Sequence, residues 1–300
     1  MEKTYQEYFY DLIGKLSGTP IRGDGKIGDS LGALQENCTK LQNALTLPLT
    51  VDTSTGHEPC PFCTSALGNK KADMAWIGIN PGKPPKEWKK FSNDGKWSDV
   101  ADFCAPKGDD LSKTENVYKY MAEEGGESGI KNSYYRTVLL VYLTLMGKIK
   151  GCEKWTDLPA EYRTDKILKV LEEHPIINAE LLPYKSDSIN FKANKILNSE
   201  VGERYKDYFT ALMQFIEEKT NDDAYIVFCG AAKEVKLLLE TCKIVEKIEG
   251  EEPESKFPMI PWKEKRLMIL TPFRKFGNYY AISALKTEAE KERKKLGNRS

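Results

Sequence analysis

The stretch Trp76-Ile77-Gly78-Ile79-Asn80-Pro81-Gly82 completes a short, mostly apolar run that begins at Ala72. Such a run predicts a buried strand, and Asn-Pro-Gly cannot continue a central strand. The residue before a proline favours extended geometry, so we expect Asn80 to present its amide at the carboxyl end of the strand. Open α/β sheets bind ligands at that end. An amide placed there can position a water molecule or read a base, and a simple turn is the alternative.

Three further apolar runs indicate the rest of a sheet. We predict strands near Ala72, Ile176, Ala224 and Arg266. The strand from Ala224 leads through a glycine directly into a helical pattern, the usual order in α/β folds. Apolar spacing predicts helices over residues 5–16, 31–45, 132–146, 162–172, 201–218, 231–241 and 281–296. The predicted fold is α/β, a three-layer α/β/α sandwich around a mostly parallel sheet of four or five strands.

The chain divides by composition into an extension and a domain. We predict that residues 1–70 form a helical N-terminal extension packed on the core and that residues 71–300 form the α/β domain. Residues 92–130 are polar and glycine-bearing, which predicts an insertion or a lid that is hard to order.

Overall charge gives no indication of a nucleic-acid partner. The 300 residues include 45 basic and 45 acidic side chains, and the formal net charge is zero. A local basic rim would still permit DNA binding. The sequence has no apolar run of membrane-spanning length and no signal-peptide layout at its start, so we expect a cytoplasmic protein without membrane contact.

Seven cysteines, an odd number spread along the chain, do not resemble a disulfide framework. Only Cys60 and Cys63 have the spacing of metal ligands. We predict no cofactor and a reduced pair in a turn. Zinc or an iron-sulfur cluster is the alternative, with Cys104 as a third ligand, His57 as a further candidate and no fourth cysteine at the expected spacing.

Two later segments repeat the arrangement of an apolar strand followed by a polar residue and a proline. The first runs from Ile176 through Asn178 to Pro183, and Tyr184 and Lys185 after it are candidates for stacking and phosphate contact at a pocket mouth. The second leads from a strand into Thr271-Pro272-Phe273-Arg274-Lys275-Phe276. This loop combines an apolar wedge with two cations, which suits a probe that fills the gap left by a flipped nucleotide. A basic surface turn is the alternative.

These segments together resemble the uracil-DNA glycosylase superfamily. Gly78-Ile79-Asn80-Pro81-Gly82 is similar to its first active-site motif, in particular that of the mismatch-specific and thymine-DNA glycosylase branches. Asn178 resembles the asparagine that hydrogen-bonds the flipped base. Thr271-Pro272 resembles the start of the second motif, which most often reads His-Pro-Ser. The resemblance covers residues 70–280 and leaves residues 1–70 and 92–130 unexplained.

The resemblance implies a role for each matching residue. Asn80 would position the attacking water, and the base pocket would include Gly78, Ile79, Pro81, Gly82, Asn178 and Tyr184. DNA would be contacted by Lys83, Lys185, Thr271, Pro272, Phe273, Arg274, Lys275 and Phe276. The chain lacks both an acid in the first motif and the histidine at position 271, so rapid removal of plain uracil is not the first expectation.

The expected function is that of a monofunctional DNA glycosylase with DNA as its partner and no obligate protein partner. It would flip out a modified or mismatched pyrimidine and leave an abasic site. Hypermodified cytosine of phage DNA, hydroxymethylated or glucosylated, is one hypothesis and would place the protein in bacterial antiviral defence. The alternatives are a uracil or thymine mismatch-repair glycosylase, an inert nucleic-acid-binding module, and a nucleoside hydrolase.

Overall fold

The computed structural model of the protein describes residues 2–51, 58–79, 95–126, 129–151, 153–186, 191–246, 257–263, 266–271 and 279–297. Within these residues the chain forms an α/β fold with a central, mostly parallel sheet and ten α-helices. The α/β class predicted from the sequence is confirmed.

Six strands make up the sheet in the described part of the chain. They are β1 (Phe62–Thr64), β2 (Ala72–Gly78), β3 (Ile176–Glu180), β4 (Thr220–Cys229), β5 (Met259–Trp262) and β6 (Arg266–Thr271). Their order is β1-β3-β2-β4-β6-β5. The inner four strands run parallel, and β1 and β5 are antiparallel to their neighbours at the two edges. The inner four are the four predicted strands.

The expectation of four or five strands is wrong, because the described residues form six. The two strands that were not predicted are β1 and β5, at the edges of the sheet. β1 has three residues and β5 has four, and a proline lies before β1 and within β5. Segments this short show no measurable apolar alternation, and proline is confined to sheet edges because it cannot donate to the ladder. Edge strands of this kind therefore give little signal in the sequence.

In the described part of the chain the α-helices are α1 (Tyr5–Ser17), α2 (Ile27–Leu45), α3 (Trp97–Cys104), α4 (Val117–Gly125), α5 (Ser133–Leu145), α6 (Ile167–Glu173), α7 (Ala193–Leu197), α8 (Gly202–Lys219), α9 (Ala232–Thr241) and α10 (Tyr279–Gly297). Each of the seven predicted helices corresponds to a helix of the structure, and three further helices in the described residues, α3, α4 and α7, were not predicted. α3 and α4 fall in the segment expected to be hard to order, so that expectation is wrong for residues 95–126. α6 begins later than predicted, because residues 160–162 form a single 3-10 turn.

Helices pack on both faces of the sheet. Phe62 of β1 stacks on Phe215 of α8, with ring centroids 4.2 Å apart, and α1 packs beside them through Tyr5 and Phe9. Because successive side chains of a strand point to opposite faces, Cys63 lies on the other face. There Tyr118 of α4 bonds the Cys63 carbonyl. This layering is compatible with the predicted sandwich.

Residues 1–70 contribute more than helices, since β1 belongs to the sheet. The division into an extension and a domain stays a prediction. No helix among the described residues combines the length and the apolar character needed to cross a membrane.

Candidate functional site

The carboxyl ends of β2 and β3 lie side by side. In their parallel register Trp76 pairs with Asn178 and Gly78 pairs with Glu180. The segments that follow β2 and β3 remain hydrogen-bonded to each other, since the Leu182 amide donates to the Ile79 carbonyl at 2.6 Å. Paired residues face the same side of a sheet, so Asn178 and Glu180 share one face with Gly78. The two strands that lead into the predicted pocket residues are therefore direct neighbours.

Asn178 is buried, with 4% of its surface exposed, and a chain of hydrogen bonds determines which end of its amide is available. The Tyr118 hydroxyl donates to the Cys63 carbonyl at 3.3 Å and accepts from Asn178 Nδ2 at 3.0 Å. Asn178 Oδ1 has no hydrogen-bond partner among the described residues. A buried acceptor without a partner is rare in folded proteins. The site thus presents an amide oxygen that is ready to accept a hydrogen bond.

Glu180 lies two residues further along β3, on the same face. It is 7% exposed, and its Oε2 likewise has no partner within the described part of the chain. Burial raises the pKa of this carboxyl well above its ordinary range, and the nearby Cys60 raises it further. Desolvation disfavours a charged carboxylate, so Glu180 retains its proton to higher pH than an exposed glutamate.

Because Gly78 has no side chain, the side chains of Glu180 and of Tyr134 from α5 can approach the backbone at the end of β2. A methyl group on Gly78 would lie 2.6 Å from Glu180 Oε2 and 2.9 Å from the Tyr134 hydroxyl, which is closer than nonbonded atoms approach. The missing side chain therefore makes room for two polar atoms. Tyr134 also packs edge-on against Trp76 and against Tyr135. Together these rings form an aromatic wall beside the acidic group.

The end of β4 closes the other side of β2. Gly230, which follows β4, has a φ of 102°, a value that non-glycine residues rarely adopt. A methyl group there would meet Ile79 Cδ1 at 3.0 Å. Ile79 is buried over this glycine, and it is the last described residue before Asn80.

Three thiols gather next to Asn178 on the same face. Cys60 Sγ lies 3.6 Å from Cys63 Sγ and 3.7 Å from Cys104 Sγ, and all three sulfurs lie within 4.8 Å of one another. Cys104 is the last residue of α3. Cys63 lies in the edge strand β1 rather than in a turn, so the prediction of a cysteine pair in a turn is wrong. All three thiols are buried and free.

The thiol cluster has the chemistry of a metal site. Hydrogen bonds with Cys104 and Cys60 lower the pKa of the Cys63 thiol to about 5, whereas burial raises the pKa of Cys104. The thiolate is the form that binds metals. Zinc–sulfur bonds of about 2.3 Å in a tetrahedral site place neighbouring sulfurs a little under about 4 Å apart, which fits the distances here. The cluster could therefore hold a metal ion through three ligands.

Several predicted site residues lie outside the described residues. They are Asn80, Pro81, Gly82, Lys83, Pro272, Phe273, Arg274, Lys275 and Phe276, together with His57. Thr271 ends β6 and pairs with Cys229 of β4. The roles predicted for Thr271 and for the residues outside the described ranges remain predictions.

Tyr184 differs from its expected place at a pocket mouth. It is completely buried, and its hydroxyl donates to Asn37 Oδ1 of α2 at 2.8 Å. The expectation of a stacking ring at a pocket mouth is wrong, because Tyr184 is buried against α2. Lys185 is half-buried and pairs through its backbone with Thr50.

Glu180 is the residue that sequence reasoning missed. The strand was expected to end near Asn178, whereas β3 continues to Glu180. The alternation of Asn178 and Glu180 was the available signal, since two polar residues spaced by two share one face of a strand. Tyr118 gave no signal, because its contact with Asn178 joins residues 60 positions apart.

Comparisons of the chain with protein-family models, with curated proteins and with solved structures give no match.

Proposed function

We propose that the protein is a DNA glycosylase that flips a modified or mismatched pyrimidine out of DNA and hydrolyses its bond to deoxyribose. Its fold would be that of the uracil-DNA glycosylase superfamily, as the Gly78-to-Gly82 motif suggests. A hypermodified cytosine is the substrate we favour, which would serve antiviral defence. The protein would act as a hydrolase on DNA.

One observation carries the proposal: Asn178 Oδ1 is buried and without a partner among the described residues, on the strand adjacent to the one that leads to Asn80. Tyr118 holds the amide nitrogen, and the amide oxygen is thereby left available to a donor on a ligand. Both ring N–H and exocyclic NH₂ groups of pyrimidines are such donors. The aromatic wall of Tyr134 and Tyr135 supplies apolar surface of the kind that flipped bases contact.

The reaction would divide between the two strands. Asn80, which follows β2 by two residues in the sequence, would hold a water below C1′ of the sugar, while Asn178 on β3 would accept a hydrogen bond from the base. An amide is a weak base, so the rate enhancement would come mainly from positioning. Slow turnover is therefore expected.

Excision can be tested on duplex oligonucleotides that each carry one test base. The test bases are uracil, thymine opposite guanine, 5-hydroxymethylcytosine and glucosylated 5-hydroxymethylcytosine. After incubation, alkali cleaves abasic sites and mass spectrometry detects the released base. We expect strand breaks with the wild-type protein and none with Asn80→Ala. Asn194→Ala, an exposed asparagine on α7, serves as the matched control and should behave as wild type.

The alternatives give different results in the same experiment. An inert DNA-binding module would bind DNA equally well with and without Asn80→Ala and would release no base. A nucleoside hydrolase would release free base from mononucleosides. Absence of product from every DNA would contradict the proposal.

We also propose that Cys60, Cys63 and Cys104 bind a metal ion, zinc or the iron of a cluster, with a structural role beside the base pocket. The thiolate character of Cys63 and the spacing of the sulfurs support this assignment. Metal analysis of the purified protein should find metal in the wild type and in Cys242→Ser, and less in Cys63→Ser. Cys242 is suitable as a control because it lies apart at the end of α9. A metal-free wild-type protein would contradict this assignment.

A further inference from the structure

Hydrolysis of a glycosidic bond needs a group that stabilises the leaving base, and neither asparagine supplies an acid. The bond between C1′ and the base breaks with its electron pair on the base, so a proton donor near the base lowers the barrier. The sequence offers no histidine at position 271 for this purpose. An acid must therefore come from elsewhere in the site.

Glu180 has the position that such an acid requires. It lies on the same face of β3 as Asn178, two residues further toward the carboxyl end of the strand. Its Oε2 points over Gly78, where a methyl group would come within 2.6 Å, and it has no hydrogen-bond partner in the described part of the chain. A structural carboxyl buried to this degree would be paired.

The surroundings of Glu180 raise its pKa and so favour the protonated form of the carboxyl. Within the described part of the chain, the ionisable groups that interact with Glu180 are Tyr134 from α5, Tyr208 from α8, Cys229 from β4, Cys60 before β1 and Cys63 in β1. The Tyr208 hydroxyl donates to the Glu180 backbone carbonyl rather than to the side chain, whose Oε2 has no partner among the described residues. Across the described ranges no lysine or arginine side chain contributes to the pKa of Glu180, so no cationic side chain there stabilises its carboxylate. The form of Glu180 that burial favours is the one that can donate a proton.

We propose that Glu180 is the catalytic acid of the glycosylase reaction and donates its Oε2 proton to the departing pyrimidine. This inference rests on the proposed function and names a residue that the sequence motifs do not include. Asn178 Oδ1 would accept from the donor group of the same base edge. The two atoms together would match the adjacent donor and acceptor of a pyrimidine edge.

The step balances without a further reactant. The C1′–base bond breaks, its electron pair goes to the base, and the Glu180 proton neutralises the base. Water forms the new bond to C1′ and releases one proton to solvent. Glu180 regains a proton from solvent after the base leaves, so the net reaction consumes one water.

Leaving-group dependence tests this role. Single-turnover rates are measured for Glu180→Gln on DNA with uracil or 5-fluorouracil, and with 5-hydroxymethylcytosine or 5-formylcytosine, using each pair that the wild type excises. In each pair the second base leaves more readily. Glutamine keeps the size of the side chain but has no transferable proton. We expect a rate loss of about 10²-fold or more on the poorer leaving group, and a loss at least tenfold smaller on the better one.

Two controls separate catalysis from structure. Glu123→Gln, an exposed position on α4, should match the wild type on all substrates. Glu180→Asp retains the acid and should recover part of the rate. Equal losses for Glu180→Gln on both members of a pair would overturn the inference while leaving the glycosylase proposal intact. Failure of the wild type to excise any base would overturn both.

Discussion

The polar groups at the two ends of the same parallel strands differ in their hydrogen bonding, with half-buried groups at the amino ends and buried groups at the carboxyl ends. At the amino ends Asp73 of β2 pairs with His174 Nδ1 at 2.9 Å and accepts from Asn221 Nδ2 of β4 at 2.6 Å. At the carboxyl ends Asn178 and Glu180 each retain an acceptor without a partner among the described residues. Satisfied polar groups stabilise a fold, whereas unsatisfied ones reduce its stability. The contrast is consistent with a structural role for the amino ends and supports the proposal that the carboxyl ends bind a ligand.

The largest difference is expected from exchanging one asparagine at each end for alanine. Asn178→Ala should lower kcat/KM for base excision by roughly 10²-fold, the scale of losing one site hydrogen bond in catalysis. It should also lower the free energy of unfolding by about 1 kcal/mol, because the hydrogen bond from Nδ2 to Tyr118 is lost. Asn221→Ala should leave excision unchanged and lower the free energy of unfolding by about 1 kcal/mol. Excision assays and urea unfolding measure the two effects. Equal effects of the two variants on excision would remove the distinction between the ends.

Gly78→Ala tests the space at the carboxyl end. The added methyl would displace Glu180 and Tyr134, so excision should fall sharply and stability should drop by about 1–3 kcal/mol. Gly32→Ala in α2 is the control, since nothing lies within 4 Å of the added methyl, and it should raise stability by roughly 0.5–1 kcal/mol. Thermal unfolding and the excision assay read both variants. An active Gly78→Ala protein would place the site elsewhere.

The effect of Glu180→Gln on the free energy of unfolding should depend on pH. The folded state raises the pKa of Glu180, so folding favours the protonated form. Below the ordinary pKa of a glutamate both folded and unfolded chains hold this proton, and the wild type has its full stability. As pH rises toward the raised pKa, the unfolded chain ionises and wild-type stability falls. The gain in free energy of unfolding on Glu180→Gln should therefore be larger at pH 8 than at pH 5.

The matching experiment uses Glu123→Gln as a control for the loss of one surface charge. Urea unfolding at both pH values gives the free energies for each variant. A gain for Glu180→Gln that does not change with pH would show that Glu180 is ionised normally in the fold.

His174→Ala gives the smallest expected effect. Its pair with Asp73 is partly exposed, so its loss should lower stability by only about 0.5–1 kcal/mol. Base excision should remain at the wild-type rate, because the pair lies at the opposite end of the sheet. A loss of excision in this variant would contradict the assignment of a purely structural role to the amino ends of the strands.

The sequence predicted the inner sheet because each inner strand carries its own apolar run. β2, β3, β4 and β6 could be located from residues within each strand, and their carboxyl ends indicated where a site would lie. The edge strand β1 could not be found, since its three residues are stabilised by pairing with β3 far along the chain. Local pattern carries no information about a partner 115 residues away in sequence, as between Cys63 and Asn178.

The candidate site shows the same limit. Asn178 was predicted from its own strand end, but the orientation of its amide depends on Tyr118 from α4. The thiol cluster joins residues from β1 and α3, so only its Cys60–Cys63 part has a regular spacing. Tyr184 was misplaced because its burial depends on Asn37 of α2. Chemistry assembled from several elements becomes visible only after folding.

The two glycines beside Ile79 have a practical consequence for engineering. Gly78 leaves space for Glu180, and Gly230 has a backbone angle and a close neighbour that exclude larger residues. Libraries designed to broaden substrate range should keep both positions fixed and vary Tyr134 and Tyr135 instead. A larger residue at Gly230, which follows β4, would push against Ile79, the residue before Asn80. Inactive library members that keep the Gly78-to-Gly82 motif should therefore often carry a substitution at Gly230.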